Sequence, residues 1–237
     1  MSVSFLTAQW SNLFLATYAV PKELLTPRLP PGLELDLRDG QAFVSLVAFD
    51  FIDTRVLGIP WPGYRNFPEL NLRFYVRHGN DRGVVFIREY VGKRLVAWIA
   101  RGLYNEPYRV APMTSVVTED SETNTVEHRL TVAGRTNILR VTGSKPSYCP
   151  EPASVEHFFK EHHWGFNMDR GGRTVRYRVD HPKWEIFPIK GFHIDLDWET
   201  VYGPEWKEMQ DSKPMSTILA QGSQVAVYPT GRLVGSS

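Results

Sequence analysis

Asn71-Leu72-Arg73-Phe74-Tyr75-Val76-Arg77, the turn Gly79-Asn80-Asp81-Arg82-Gly83 and the run Val84 to Val91 decide the fold class of this chain. Two β-rich runs around a short polar turn bounded by glycines predict a hairpin. Directly after it, Lys93 to Tyr104 (KRLVAWIARGLY) places Val96, Ile99, Ala100 and Leu103 on one helical face. The Asn105-Glu106-Pro107 break follows this helix at once. Leu103-Tyr104-Asn105-Glu106-Pro107-Tyr108-Arg109 is therefore a helix-to-turn corner set against a hairpin.

Strand signals dominate on either side. Leu13 to Val20 is apolar and aromatic, and Pro21 to Leu25 starts a short helix. Leu33 to Leu37 alternates as a half-buried strand does, and Asp39-Gly40 is a hairpin turn leading into Ala42 to Phe51. The loop Gly58 to Pro68, with three prolines and two glycines, belongs to no regular ladder. Thr114 to Thr118, Thr125 to Ala133, Asn137 to Thr142, Thr174 to Val179, His193 to Glu199 and Gln224 to Tyr228 read as strands. Ser154 to His162 reads as a short helix with Ser154 as its N-cap. Many strands with two or three short helices predict an α+β, mostly β domain, antiparallel-rich or barrel-like. No repeat or linker divides the chain, so residues 1–237 are expected to form a single domain.

Composition narrows the function class. The 237 residues carry 27 basic and 26 acidic side chains, with no block of either sign. Nothing recommends nucleic acid or an anionic membrane surface as a partner. No run approaches the ~20 apolar residues of a membrane-spanning helix. Cys149 is the only cysteine, which excludes an internal disulfide and suits a reducing compartment. The N-terminal stretch is broken by Gln9, Ser11 and Asn12 and does not read as a signal peptide. A cytoplasmic protein is the expectation.

The order NLRFYV, RGVVFIREYV, the helix ending LYNEPYR, a late HHWGF and the closing QGSQVAVYP resembles the YqjF-like family of uncharacterised bacterial proteins. The resemblance covers nearly the whole chain and is most specific from Phe67 to Met113. That family in turn resembles acetoacetate decarboxylase, which implies a cone-shaped antiparallel β-barrel enclosing a ligand cavity. In the decarboxylase a helix leads into a turn bearing two lysines, one forming an imine and its neighbour depressing the amine pKa. Here Glu106-Pro107 keeps the turn, but Tyr108 and Arg109 stand at the lysine positions. Arginine stays protonated and is no amine nucleophile. The resemblance therefore implies the fold and the cavity's location, without imine-forming decarboxylation.

Within that frame Arg109 is a candidate anion clamp for a carboxylate or enolate, or a structural arginine satisfying carbonyls at the turn. Glu69, Asn71 and Arg73 share one strand face with Tyr75 and Arg77. If that face lines the interior, Glu69 moves a proton and Arg73 fixes an anion; if it faces solvent, the pattern is only amphipathic alternation. Arg88 and Glu89 lie on opposite faces of the returning strand, and one of them is expected to pair with Arg73 or Arg77. Glu106 either moves a proton or accepts from Arg109.

Other residue types point nowhere specific. His157, His162 and His163 lack the spacing that brings two ligands onto one helical face. His193, Asp195, Asp197 and Glu199 share a strand face, but a strand spreads alternate residues ~6.5 Å apart, too far for all four to chelate one ion. No metal is expected. Cys149 reads as a small hydrophobe, and no nucleotide or dinucleotide loop or serine-nucleophile elbow appears, so no cofactor is expected.

The expectation is a small-molecule protein that binds a compact organic acid or carbonyl compound. Glu69, Glu106 and Tyr108 carry lysine-independent acid–base chemistry of lyase or isomerase type, and Arg109, Arg73 and Asn71 bind the ligand. The alternative is a non-catalytic binding or sensing module that has lost the chemistry. Homo-oligomerisation stays open.

Overall fold

The computed structural model describes residues 3–103 and 105–233. Tyr104, the end of the expected helix, lies outside them, as does the Leu103 side chain. The chain runs β1 (Leu6–Val20), α1 (Lys22–Leu25), β2 (Glu34–Leu35), β3 (Ala42–Val56), β4 (Phe67–His78), β5 (Asp81–Val91) and α2 (Arg94–Leu103). It continues through β6 (Tyr108–Val110), β7 (Met113–Glu119), β8 (Thr123–Val132), β9 (Arg135–Ser144), α3 (Val155–Lys160), β10 (Trp164–Met168) and β11 (Thr174–Asp180). Last come β12 (Ile186–Phe187), β13 (Ile189–Asp195), α4 (Trp198–Tyr202), β14 (Ser216–Val227) and β15 (Gly231–Arg232).

The large sheet pairs β14–β1–β3–β4–β5 antiparallel, crosses to β10 by a short parallel contact, and continues to β11. β11 then pairs back onto β14 through Val179↔Val227 and Asp180↔Ala226. β6 adds a second parallel contact to β5. A four-stranded sheet, in the order β13–β9–β8–β7, lies beside it.

Alternation along β4 shows how the two sides differ. Leu70, Leu72, Phe74 and Val76 point into one core cluster, shared with Val126, Leu130, Leu139 and Val141 of the second sheet and with Trp198 and Trp206. Each such burial contributes roughly 1.5–3 kcal/mol, which fixes the strand's phase. Glu69, Asn71, Arg73 and Tyr75 consequently point the other way, among Phe43, Val47, Phe49 and Tyr177. The polar face of β4 looks inward.

The two sheets are also tied by a buried polar knot. Asp50 of β3 accepts from Asn12 Nδ2 and Ser115 Oγ, both at 2.8 Å. His128 Nε2 stands 3.4 Å away, an electrostatic contact rather than an aligned hydrogen bond. Desolvation opposes ionisation of Asp50, but His128, Asn12 and Ser115 together hold its pKa below the ordinary carboxylate value. Asn12 itself sits in a bulge of β1 at positive φ, which asparagine tolerates.

Several expectations change. β1 begins at Leu6, because Gln9, Ser11 and Asn12 are accommodated within the strand. The expected strand His193 to Glu199 ends at Asp195, and Asp197 instead caps α4 by accepting from Thr200 N at 3.0 Å. Neither expected ion pair across the hairpin forms. Arg88 donates to the Val201 carbonyl on the outer side, and Arg77 pairs with Glu34 of β2 at 2.7 Å. The Ser154 N-cap of α3 does form, with His157 N donating to its hydroxyl at 3.1 Å.

Candidate functional site

A register shift in the β4–β5 hairpin builds the site. Asn71 faces Glu89 and Leu72 faces Arg88, but Arg73 faces Phe86, so β5 carries one extra residue at this point. A bulge of this kind reverses the in–out parity of everything beyond it. Val84 and Phe86 on one side of it and Glu89 on the other therefore all line one cavity of about 200 Å³. The walls are mainly aliphatic and aromatic, and the apolar face of α2 (Val96, Ile99, Ala100) covers part of them.

Three carboxyl groups converge there. Glu69, Glu89 and Glu106 are only 2–4% exposed. Tyr108 Oη donates to Glu69 Oε2 at 2.7 Å, and Asn71 Nδ2 donates to Glu69 Oε1 at 3.1 Å. Tyr177 Oη donates to Glu106 Oε1 at 2.9 Å, and Asn167 Nδ2 to its Oε2 at 3.1 Å. The pairing register explains the convergence: Asn71 lies opposite Glu89 on β4–β5, and Glu89 lies opposite Tyr108 on β5–β6.

Burial sets the protonation. Desolvation lifts Glu69 to about 7, against the hydrogen bonds from Tyr108 and Asn71 that pull it down. Desolvation lifts Glu106 to about 8, opposed by the Tyr177 hydrogen bond and assisted by repulsion from Glu69. Glu89 rises well above the ordinary value through burial and then through repulsion from Glu69 and Glu106. Burial and the same carboxyls push Tyr108 and Tyr177 upward too. Three carboxyls this close and this dry hold protons at neutral pH that a surface glutamate would release.

Tyr177 fits because of Gly165. The two residues are direct partners across β10 and β11, and a Cβ on Gly165 would sit 2.6 Å from Tyr177 Cε2. Without that glycine the phenol could not lie where it reaches Glu106.

Of the six expected site residues, Glu69, Asn71, Arg73, Glu106 and Tyr108 line the cavity. Arg109 does not, and this is a correction. Adjacent residues of a strand point to opposite sides, so with Tyr108 inward on β6 Arg109 is turned out and exposed. Arg73 Nη2 donates to the Phe159 carbonyl at 3.1 Å, and its Nε is buried without a partner. The same holds for Asn71 Oδ1 and Glu89 Oε1.

Sequence reasoning missed Glu89 as a cavity group, and also Tyr177, Lys160 and His162. Tyr177 carried a signal, since Val175, Tyr177 and Val179 alternate along β11. Lys160, 1% exposed at the end of α3, carried none. It puts an amine on the cavity wall from an element remote from the Tyr108-Arg109 turn, and its Nζ is ion-paired with Glu161.

One group among the described residues has a donor set suited to a metal. Ligand atoms of Glu161, His163 and His181 lie within 4.8 Å of one another. Glu161 Oε1 already takes Lys160 Nζ and, at 3.4 Å, Trp184 N–H, while the two imidazoles stack at 4.7 Å. His157 and His162 are not part of this group.

Residues 7–224 match DUF2071, a family described as an uncharacterized conserved protein. The chain belongs to the DUF2071 family. Within it, 107 residues are 36% identical to the uncharacterized protein YqjF of Bacillus subtilis (strain 168). That match spans 45% of this chain and 44% of YqjF. Among solved structures, the DUF2071 chain is similar to an acetoacetate decarboxylase-like enzyme from Sphingomonas wittichii RW1, with a TM-score of 0.67 and 13% identity over 98% of this chain and 94% of that one. Acetoacetate decarboxylase from Legionella pneumophila gives 0.65 and 14%, over 99% and 88%. The enduracididine biosynthesis enzyme MppR complexed with pyruvate gives 0.66 and 13%, over 100% and 93%. At such identities the likeness establishes a shared, acetoacetate decarboxylase-like fold. Among the described residues no helix is long and apolar enough to cross a membrane.

Proposed function

We propose that this DUF2071 protein is an enzyme that moves protons on a small carbonyl compound or organic acid held in the cavity, without an imine. The observation that carries this reading is the Glu69–Glu89–Glu106 cluster with its two phenols in an otherwise apolar pocket. A carboxyl poised near neutrality exists in both forms at working pH, which general acid–base catalysis requires. Glu106 in its ionised form takes a proton from the carbon beside a carbonyl. The electron pair moves onto the carbonyl oxygen, and the Tyr108–Glu69 pair donates to that oxygen as charge develops. Isomerisation uses this step, whereas decarboxylation and hydration, once loss of carbon dioxide or addition of water has formed the enolate, use its reverse, protonation of the enolate carbon.

The fold is in keeping with such substrates, since its solved members include an acetoacetate decarboxylase and an enzyme complexed with pyruvate. Lys160 stays outside the chemistry, because an ammonium paired with Glu161 offers no lone pair.

The test is proton exchange. Ketones and oxo acids that raise the melting temperature are incubated with the protein in D2O, and the α-protons are followed by NMR. Exchange above buffer is expected, falling ~10²–10⁴-fold in Glu106→Gln and Glu69→Gln. Ligands that bind without exchanging would leave a non-catalytic binding module in its place.

A further inference from the structure

The end of the cavity opposite the carboxyl cluster is cationic and lacks its counter-ion. Glu69, Asn71, Arg73 and Tyr75 follow one another along one face of β4, so Glu69 and Arg73 are separated by roughly 13 Å of strand. Their side chains also diverge. Asn71 leans toward Glu69, whereas Arg73 reaches past Tyr75, its guanidinium carbon 5.9 Å from that ring's centroid and Nη2 bonded to the Phe159 carbonyl.

His162 joins Arg73 at this end. Its imidazole lies 5.0 Å from the Tyr75 ring, is 8% exposed and lines the cavity, yet neither ring nitrogen has a partner. Burial, and then the Arg73 charge, keep its pKa well below the ordinary value, so it is a neutral donor.

Charge accounting singles out Arg73. Lys160 is matched by Glu161, and Arg82 by Asp36 at 2.6 Å. Arg73 has no ion pair among the described residues, and its Nε is buried without an acceptor. Arg73 is half-buried, and a cation partly withdrawn from water with a buried donor unpaired is unfavourable, a cost that an anion beside it removes. One uncompensated cation beside a neutral donor matches a single negative charge, which a carboxylate supplies and a phosphate dianion exceeds.

We infer that Arg73 and His162 form a carboxylate-binding pole, and that the ligand is an elongated monocarboxylate with an apolar body, its far end at the carboxyl cluster. A cavity of ~150 Å³ holds benzene, so one of about 200 Å³ holds roughly eight to ten non-hydrogen atoms. Two- to four-carbon acids cannot touch both ends. Val47, Phe49, Val84, Phe86 and Trp164 supply the apolar walls between them. This deepens the function proposed above and rests on that reading of the cavity as a substrate site. Its test is binding alone, so catalysis can fail while the pole stands.

Calorimetric titration of the full chain with straight-chain acids from acetate to dodecanoate checks the inference. Affinity is expected to rise to a maximum at hexanoate or octanoate and to fall beyond decanoate. The wild-type protein should prefer octanoate over octan-1-ol at least tenfold. Arg73→Met should weaken octanoate at least tenfold, His162→Phe should weaken it while keeping the ring against Tyr75, and Arg109→Met, exposed and outside the cavity, should change it less than threefold. Acetate binding as tightly as octanoate would overturn the inference. So would octan-1-ol matching octanoate, which needs no variant and decides the matter even if Arg73→Met fails to fold.

Discussion

Replacing Glu106 by glutamine should stabilise the ligand-free protein, by an amount that grows with pH. The sign follows from where the carboxyl titrates. An unfolded glutamate releases its proton near the ordinary value of 4.5, whereas burial holds Glu106 protonated up to about 8. Between those values the folded state binds more protons than the unfolded one, so stability falls as pH rises. Each pH unit in that window is worth ~1.4 kcal/mol, so about 3 kcal/mol is lost by pH 7 and on the order of 5 kcal/mol above pH 8. Glutamine copies the protonated carboxyl in shape, its oxygen accepting from Asn167 and its amide facing the Tyr177 hydroxyl. If the phenol cannot turn to accept, one hydrogen bond worth ~1 kcal/mol is lost at every pH. The net expectation is a variant equal to or slightly weaker than wild type at pH 5, and ~3 kcal/mol or more stronger at pH 9. For a chain of this size that corresponds to roughly 6–12 °C in melting temperature. Urea unfolding of both proteins at pH 5, 7 and 9 reads the difference directly. A gap that stays constant across this range would mean that Glu106 ionises normally, and the acid–base argument would fall with it.

Two further outcomes test the cavity's construction. Gly165→Ala should displace the Tyr177 ring, destabilise the fold by ~1–3 kcal/mol and diminish α-proton exchange, as urea unfolding and the NMR assay would show; an unperturbed variant would mean that the β10–β11 approach is looser than described. Borohydride added with acetoacetate should leave the intact mass unchanged, because the Tyr108-Arg109 turn has no amine and Lys160 is held by Glu161; a reduced adduct mapped to Lys160 would replace acid–base chemistry with imine chemistry.

The hairpin, the helix after it and the Ser154 cap were legible because each is written in neighbouring residues. Three other features were not, each for its own reason. Strand phase is a tertiary decision: nothing in Tyr108-Arg109 says which side chain turns inward until β6 pairs with β5, and the choice made exposes Arg109. The parity of β5 depends on one extra residue opposite the Leu72–Arg73 step, so Glu89 reads as a surface pair partner until the register is known. The proposed carboxylate-binding pole brings Arg73 of β4 together with His162 from the loop after α3, a convergence no spacing rule reaches.

These failures have a common direction. Sequence rules assume that a strand's polar face meets water, and on β4 the opposite holds: Leu72 and Phe74 pack under the second sheet while Glu69, Asn71 and Arg73 line a largely apolar pocket. Keeping the Glu69, Glu89 and Glu106 carboxyls dry and Arg73 half-buried works against folding. A strand that turns Glu69, Asn71 and Arg73 into an apolar pocket, where solvent would cost less, is what the proposed substrate site requires. The carboxyl cluster at one end and the uncompensated Arg73 at the other locate that site within one cavity.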